Sequence, residues 1–205
     1  ILVQPPRSGR YGEAATVEDF LKVFQDVSGR DLSQFALWYH QAGTPNIAVS
    51  TMHDPGKGEF VLEIEQSVPP TPSESRKRLM HVPLAFGLVG SDGKDISWSH
   101  VEGASVEDNV IHLRKRRHVI RFAGVPKRPA VSLNRGFSAP VTLTQEQRPD
   151  DQAFLARHDS DPVARWQAFN SLLTDALIVA SRNLRGGKPA DFAPELAALA
   201  GPIAG

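Results

Sequence analysis

Apolar residues recur at two different spacings along the chain, and the change of spacing divides it into three parts. From 17 to 27 they follow the three-to-four-residue period of a helix, behind Thr16 as a candidate N-cap. A second helix is predicted to begin at Asp31 and to end at Gly43, because Pro45 prevents it from continuing. The first part of the sequence is therefore predicted to be two helices.

After Pro45 the apolar residues alternate with polar ones, which is the period of a β-strand with one buried face. The segments 47–51 and 60–64 flank the turn sequence Asp-Pro-Gly-Lys-Gly and are predicted to form a β-hairpin. Six more short segments carry strand patterns, at 79–89, 96–101, 110–113, 119–122, 131–133 and 141–143. Short strands in this number, separated by turn signals, indicate an antiparallel β-sandwich.

The helical period returns in the last part of the chain. A short helix is predicted over 151–158, and a longer one begins at Pro162 with Asp161 as its N-cap. Gly186 and Gly187 end the longer helix, and a last short helix is predicted to begin near Pro194. The order of helices, strands and helices indicates parts of three structural units.

Composition excludes several classes of protein. Lysine and arginine together number 23, as do aspartate and glutamate, so no net charge favours nucleic acid or a membrane surface. The chain has no cysteine, which excludes disulfides, thiolate zinc sites and cysteine nucleophiles and fits a cytoplasmic location. No apolar run reaches the roughly 18–20 residues of a membrane span. The first residue is Ile1 rather than methionine, which suggests a processed or cut piece.

No catalytic constellation stands out among the polar residues. The seven histidines include no i,i+4 pair with an intervening glutamate, so we expect surface or capping histidines and no metal ligand. No nucleophile elbow is present, and Ser138 is expected to bond the backbone. The basic run 114–117 is expected to be an exposed hairpin tip, and the charge cluster 157–165 an ordinary capping arrangement with a possible interdomain ion pair. The sequence predicts no catalytic residue.

Three stretches together resemble the bacterial branch of the aminopeptidase N family. Trp-Tyr-His-Gln-Ala-Gly-Thr-Pro at 38–45 is similar to the W-x-x-Q-x-G-x-P signature that closes the catalytic domain of these zinc aminopeptidases. The others are Phe-Ser-Ala-Pro-Val at 137–141, and Phe-Leu-Ala-Arg-His at 154–158 followed by Arg-Trp at 165–166. The order and spacing of the three stretches also fit that family.

The resemblance implies an immunoglobulin-like antiparallel β-sandwich flanked by N-terminal and C-terminal α-helices. Residues 1–45 would be the last helices of the catalytic domain, 46–146 the sandwich, and 147–205 the start of a helical C-terminal domain. Seven residues are expected to lie at the two domain junctions: Trp38, Gln41, Gly43, Pro45, Arg157, Arg165 and Trp166. Trp38 is expected to pin its helix to the sandwich; the alternative is that it belongs only to the core of the catalytic domain.

The family's zinc motif and catalytic tyrosine lie upstream of the matching region, so the resemblance implies no catalytic residue and no cofactor in this piece. The parent enzyme would remove N-terminal residues from peptides with zinc-activated water. The expected partners are the catalytic and helical domains of the same polypeptide, with neither nucleic acid nor membrane. Two alternatives remain: an independent β-sandwich module that binds peptide or carbohydrate, and a nucleic-acid adaptor that uses the basic run at 114–117.

Overall fold

The structure is a computed structural model that describes residues 15–189. Its order is two helices, nine strands and two further helices within that range. The strands are β1 Asn46–Asp54, β2 Glu59–Ser67, β3 Val82–Val89, β4 His100–Glu102, β5 Ser105–Glu107, β6 Val110–Leu113, β7 Arg117–Ala123, β8 Ala130–Leu133 and β9 Thr142–Gln145. The helices are α1 Val17–Ser28, α2 Leu37–His40, α3 Pro149–His158 and α4 Pro162–Arg185. The helix predicted near Pro194 lies outside the described residues.

The strands form a two-sheet sandwich. One sheet has the order β4-β7-β2-β1-β9 and the other the order β5-β6-β3-β8. The predicted hairpin is confirmed, because β1 pairs antiparallel with β2 from Asn46 opposite Ser67 to Asp54 opposite Glu59. The predicted antiparallel β-sandwich is confirmed, although at one edge β9 runs parallel to β1. Strand β9 follows β8, which lies in the other sheet. No hairpin turn therefore joins β9 to its neighbour β1, and the two strands can run parallel.

The core lies between the two sheets and contains the alternating residues that the sequence pattern selected. Phe60, Phe86 and Phe122 are fully buried there. The Phe86 and Phe122 ring centroids are 5.5 Å apart, and the Trp98 indole lies 5.5 Å from the first and 5.0 Å from the second. Stacked, tilted and edge-on ring contacts of this kind add to the apolar burial that stabilises the sandwich.

Two strand predictions need correction. The strand predicted over 96–101 is present only as β4, and Trp98, which lies before β4, packs against the core aromatic rings. The run 114–117 is exposed, as expected, but it is not a hairpin tip. Residues 114–116 connect β6 in one sheet to β7 in the other, Arg117 being the first residue of β7, and the two strands pair with β3 and β2 rather than with each other.

The first predicted helix is confirmed, with Thr16 and Asp19 forming a reciprocal capping box. The second is wrong in extent, because only α2 is helical there. Asp31 accepts a hydrogen bond from the Ser33 N–H at 2.9 Å, and such a side-chain bond competes with helix formation. The helix also ends before Gly43, since its C-cap is the extended residue Gln41.

The two later helices agree with the sequence pattern. The predicted helix over 151–158 is α3, which begins two residues earlier. Asp161 is the N-cap of α4, and its carboxylate accepts a hydrogen bond from the Ala164 N–H at 2.7 Å. Pro162 occupies the first turn, where its missing N–H costs no hydrogen bond.

Candidate interdomain junctions

Trp38 attaches α2 to the sandwich. Its indole Nε1–H donates a hydrogen bond to the His81 carbonyl oxygen at 2.8 Å. The ring is half-buried against the main hydrophobic core, to which α2 also contributes the buried Leu37. A tryptophan with its apolar body packed and its N–H bonded fixes both the position and the angle of its helix.

Gln41 forms the second attachment on this side. Its amide nitrogen donates to the Arg78 carbonyl at 2.9 Å, and its amide oxygen accepts from the Arg78 N–H at 2.8 Å. Only 8 % of the residue is exposed. The side-chain amide therefore pairs with both backbone groups of Arg78, as the backbone of a neighbouring strand would. A glutamine side chain can do this because its amide carries a donor and an acceptor in one plane.

Gly43 and Pro45 fix the entry into β1. Gly43 has φ of +99°, which disfavours any side chain, and it packs against the backbone of Pro69 in the loop after β2. Pro45 is buried, and its carbonyl accepts a hydrogen bond from the Thr142 N–H at 2.9 Å, at the start of β9. The motif residues at 38, 41 and 43 thus contact the connection between β2 and β3, and the one at 45 contacts the start of β9.

The structure places the other three predicted junction residues on the surface. Arg157 on α3 and Arg165 on α4 are exposed, and Trp166 is 63 % exposed. The contacts between these helices and the sandwich come from other residues, which sequence reasoning missed. A junction role for Arg157, Arg165 and Trp166 therefore stays a prediction.

Arg135 is the main residue that was missed. Its guanidinium donates two hydrogen bonds of 2.8 Å to the Asp95 carboxylate and lies 2.9 Å from Asp159 Oδ1. Its Nε–H donates to Ser132 Oγ at 3.0 Å. A Cβ built on Gly87 would lie 2.0 Å from the Arg135 Cζ, so the guanidinium rests directly on the glycine backbone. In the sequence, only Gly87 within β3 could have indicated that another group approaches the strand closely at this point.

The Arg135 contacts join the sandwich to the turn between α3 and α4. Asp159 in that turn is 1 % exposed, and Ser160 donates to Asp95 Oδ2 at 3.1 Å. Burial opposes the charge on Arg135, but hydrogen bonds to Asp95 and the nearby Asp159 outweigh it and raise the pKa of Arg135. The same hydrogen bonds lower the pKa of Asp95 despite its partial burial. The ion pair between Arg135 and Asp95 is therefore present at neutral pH.

Asp159 accepts a hydrogen bond through Oδ1 from the Asp161 N–H at 2.9 Å, while Oδ2 has no partner among the described residues. Another ion pair joins α3 to the sandwich nearby. Arg128, in the connection before β8, donates two hydrogen bonds of 3.0 and 2.8 Å to the carboxylate of Asp151 on α3. An apolar cluster backs these ion pairs: Val89, Ala130 and Leu155 are buried, with Phe154 and Ala168 packed against them. The helical segment after the sandwich is thus held by apolar packing and by ion pairs together.

Ser138 has the backbone role expected of it. Its hydroxyl accepts a hydrogen bond from the Ala85 N–H at 2.8 Å and donates to Asn134 Oδ1 at 3.1 Å. Asn134 in turn bonds both the N–H and the carbonyl of Ala139. This network fixes the 3₁₀ turn Arg135–Phe137, and thereby aims Arg135.

The expectation of surface or capping histidines is wrong for His81. His81 is 7 % exposed, and its Nε2 lies 2.9 Å from Nδ1 of His112. His118 is also buried, and its Nε2 accepts hydrogen bonds of 3.1 Å from the N–H groups of Arg114 and Lys115, so it does cap a turn. Between residues 15 and 189 no three histidine, aspartate or glutamate side chains are placed to hold a metal ion.

The flanking helices keep large apolar side chains on their outer surfaces. On α1 only Leu21 is buried, and five apolar residues are exposed: Val17, Phe20, Val23, Phe24 and Val27. On α4 the exposed set is Val163, Trp166, Leu177, Ile178, Val179 and Leu184. Among the helices of the described range, none has the length and apolar character to cross a membrane.

Comparison with known proteins gives consistent results. Residues 43–146 match a family model described as a domain of unknown function (DUF3458) with an Ig-like fold. The chain is 33 % identical over 178 residues to aminopeptidase N of Escherichia coli (strain K12), which covers 87 % of this chain and 20 % of that protein. It is 37 % identical over 167 residues to aminopeptidase N of Caulobacter vibrioides, covering 82 % and 18 %.

A solved structure is similar as well. The crystal structure of Legionella pneumophila aminopeptidase A in complex with aspartic acid aligns with a TM-score of 0.70 and 26 % identity, over 90 % of this chain and 19 % of that one. The chain therefore spans about a fifth of the length of the relatives it matches.

Proposed function

Because this chain belongs to the DUF3458 family of Ig-like domains, which is found in aminopeptidase N, we propose that it is a non-catalytic, structural part of a zinc-dependent aminopeptidase. In this proposal residues 1–45 complete the catalytic domain, 46–146 form the Ig-like sandwich, and 147–205 begin a helical C-terminal domain. The enzyme as a whole would remove N-terminal residues from peptides in the cytoplasm.

The zinc of such an enzyme has no fitting ligand set here. The described part of the chain contains no group of three side chains placed to hold a metal ion, so we assign no catalytic step to it. Its contribution is instead mechanical. The sandwich would separate the catalytic and helical domains, set the angle between them, and help to close the substrate chamber.

The observation that carries this proposal is the two-sided character of α1. On one side α1 buries Leu21, while five large apolar side chains are exposed; the chain that follows α1 is bonded to the sandwich through Trp38 and Gln41. Soluble proteins seldom expose such a stripe unless another protein surface covers it. The catalytic domain, whose last helices the proposal places here, is the surface that would cover it.

The exposed apolar side of α4 supports the proposal at the other end. Arg135 and Asp159 fix the start of this helix to the sandwich, whereas Trp166 and Leu184 face outward. The following helices of a C-terminal domain would cover that side. No observation in the range 15–189 specifically favours an independent peptide- or carbohydrate-binding module.

The reading frame that encodes this chain provides the test. We expect several hundred codons upstream, among them a His-Glu-x-x-His motif with a later glutamate, and further helical sequence downstream. A frame that encodes the sandwich without an upstream metallopeptidase domain would contradict the proposal. Such a frame would favour the independent binding module.

A further inference from the structure

Two histidines face each other where the N-terminal helical segment meets the sandwich. Ile111 and Leu113 on β6 point into the core, so His112 between them lies on the outer face of that sheet. His81 immediately precedes β3, which pairs with β6 through Pro83 opposite His112. His81 is nevertheless 7 % exposed, because the segment 30–40 covers it.

The two imidazoles share one hydrogen bond. His81 Nε2 and His112 Nδ1 are 2.9 Å apart, and the ring centroids are separated by 5.1 Å. Between two neutral rings this bond needs one proton, with one nitrogen donating and the other accepting. The pair is therefore satisfied without any charge.

The contacts of the segment 30–40 converge on this pair. The Phe35 ring packs edge-on against the His81 ring at 6.2 Å, and the Trp38 indole donates to the His81 carbonyl at 2.8 Å. Arg30 bonds Glu107 on β5 at 2.8 Å. The same segment thus buries the histidines and brings a cation close to them.

The surrounding charges disfavour protonation of His81. Arg30 comes from the covering segment and Arg114 from the loop after β6, whereas Glu107 from β5 acts mainly on His112. Burial, with Arg114 next, lowers the pKa of His81 to about 4. Burial also lowers the pKa of His112, although Glu107 opposes that effect. A proton added here is poorly solvated until the covering segment leaves.

We propose that the His81–His112 pair is a pH-sensitive latch: it holds the segment 30–40 on the sandwich while both rings are neutral, and mild acid releases the segment. Release exposes the rings to water, removes Phe35 from above His81, and moves Arg30 away. The undocked state therefore binds protons more tightly than the docked state, which is the difference that lets protons shift the equilibrium.

The direction of the pH effect follows from linkage. A histidine whose docked pKa lies below its ordinary value stabilises the docked state less and less as pH falls through about 6.5 towards about 4. At pH 5 the His81 ring alone would raise the undocking equilibrium constant about 30-fold, if the ring becomes fully hydrated on release. Above pH 7 the latch is closed and insensitive to pH.

Nuclear magnetic resonance of the full 205-residue chain tests the latch. The imidazole carbon signals of His81 and His112 and the indole N–H signal of Trp38 would be followed from pH 7.5 to 4.5. We expect neither ring to titrate near 6.5, and the Trp38 signal to lose its hydrogen-bonded shift reversibly as the pH falls below about 6. Rings that titrate near 6.5 while the Trp38 signal stays unchanged would overturn the proposal.

A double variant separates the latch from general acid sensitivity. The amides of His81→Gln and His112→Asn can occupy the positions of the two bonded nitrogens but do not titrate. In this variant the Trp38 signal should stay constant over the same pH range, whereas His100→Gln, at an exposed site on β4, should respond like the unmodified chain. An unchanged acid response in the double variant would also overturn the proposal, as would loss of the response in His100→Gln. Should the double variant fail to fold, the titration of the unmodified chain decides.

Discussion

At the scale of single residues, the contacts between the helices and the sandwich depend on side chains that bond backbone or buried charge. Trp38 is the clearest case, because it combines packing on the core with a hydrogen bond to the His81 carbonyl. Trp38→Ala should lower the free energy of unfolding of this chain by roughly 3 kcal/mol in urea denaturation. Trp38→Phe keeps most of the packing and should cost about 1 kcal/mol through the lost bond.

Trp166 is the matched control for that experiment. It is 63 % exposed, so Trp166→Ala should change the stability of this chain by no more than about 0.5 kcal/mol. A near-neutral result for Trp38→Ala would show that Trp38 serves only the core of another domain. The attachment of α2 to the sandwich would then need another explanation.

Arg135 supports a second prediction. Arg135→Met removes the cation from the fully buried Asp159 side chain and from Asp95, so stability should fall by about 3 kcal/mol or more. Arg157→Met, on the exposed surface of α3, should be neutral within about 0.5 kcal/mol. Equal unfolding midpoints for the two variants would contradict the role assigned to Arg135.

These residues also show what sequence reasoning can and cannot reach. The W-x-x-Q-x-G-x-P spacing identified Trp38 and Gln41 as junction candidates, and the structure shows both bonded to the sandwich. Arg135 was missed because its partners Asp95 and Asp159 are distant in sequence and meet only after the sandwich folds. No local pattern encodes such a meeting, apart from the glycine at position 87 that makes room for it.

At the scale of elements, periodicity predicted most helices and strands, because one face of each is buried. It failed where tertiary contacts outweigh the local pattern. The helix expected after Asp31 shortens to α2, and the β6–β7 connection crosses between sheets although its sequence resembles a hairpin. The alternation of apolar and polar residues along a strand indicates which of its faces is buried, but not which sheet the strand joins.

Helix α1 carries the element-scale prediction. Phe20 and Phe24 are exposed, with ring centroids 4.7 Å apart, so Phe20→Ser should leave this chain's stability within about 0.5 kcal/mol. In the complete gene product the same change should cost roughly 3 kcal/mol, as truncation of a buried aromatic does. Denaturant unfolding followed by circular dichroism would measure both.

Leu21 is the control on the same helix. It is 5 % exposed here, so Leu21→Ser should destabilise this chain as well as the complete protein. If Phe20→Ser were neutral in the complete protein too, no neighbouring domain would cover α1. That result would remove the main support for a junction with a catalytic domain.

At the scale of the whole molecule, the sandwich holds the helical segments that precede and follow it in the chain. The amino-terminal attachment uses side-chain bonds to loop backbone, and the carboxyl-terminal one uses a buried ion-pair network beside an apolar cluster. Buried polar contacts of this kind fix geometry more than they add stability. Fixed geometry on both sides is what a spacer between two domains requires.

The most direct test compares peptidase activity in two proteins. This chain and the complete gene product would each be assayed with an aminoacyl nitroanilide, with zinc and after chelation. We predict zinc-dependent hydrolysis by the complete product only, and no stoichiometric zinc on this chain. Chelator-sensitive hydrolysis by this chain alone, or no aminopeptidase activity in the zinc-loaded complete product, would contradict the account.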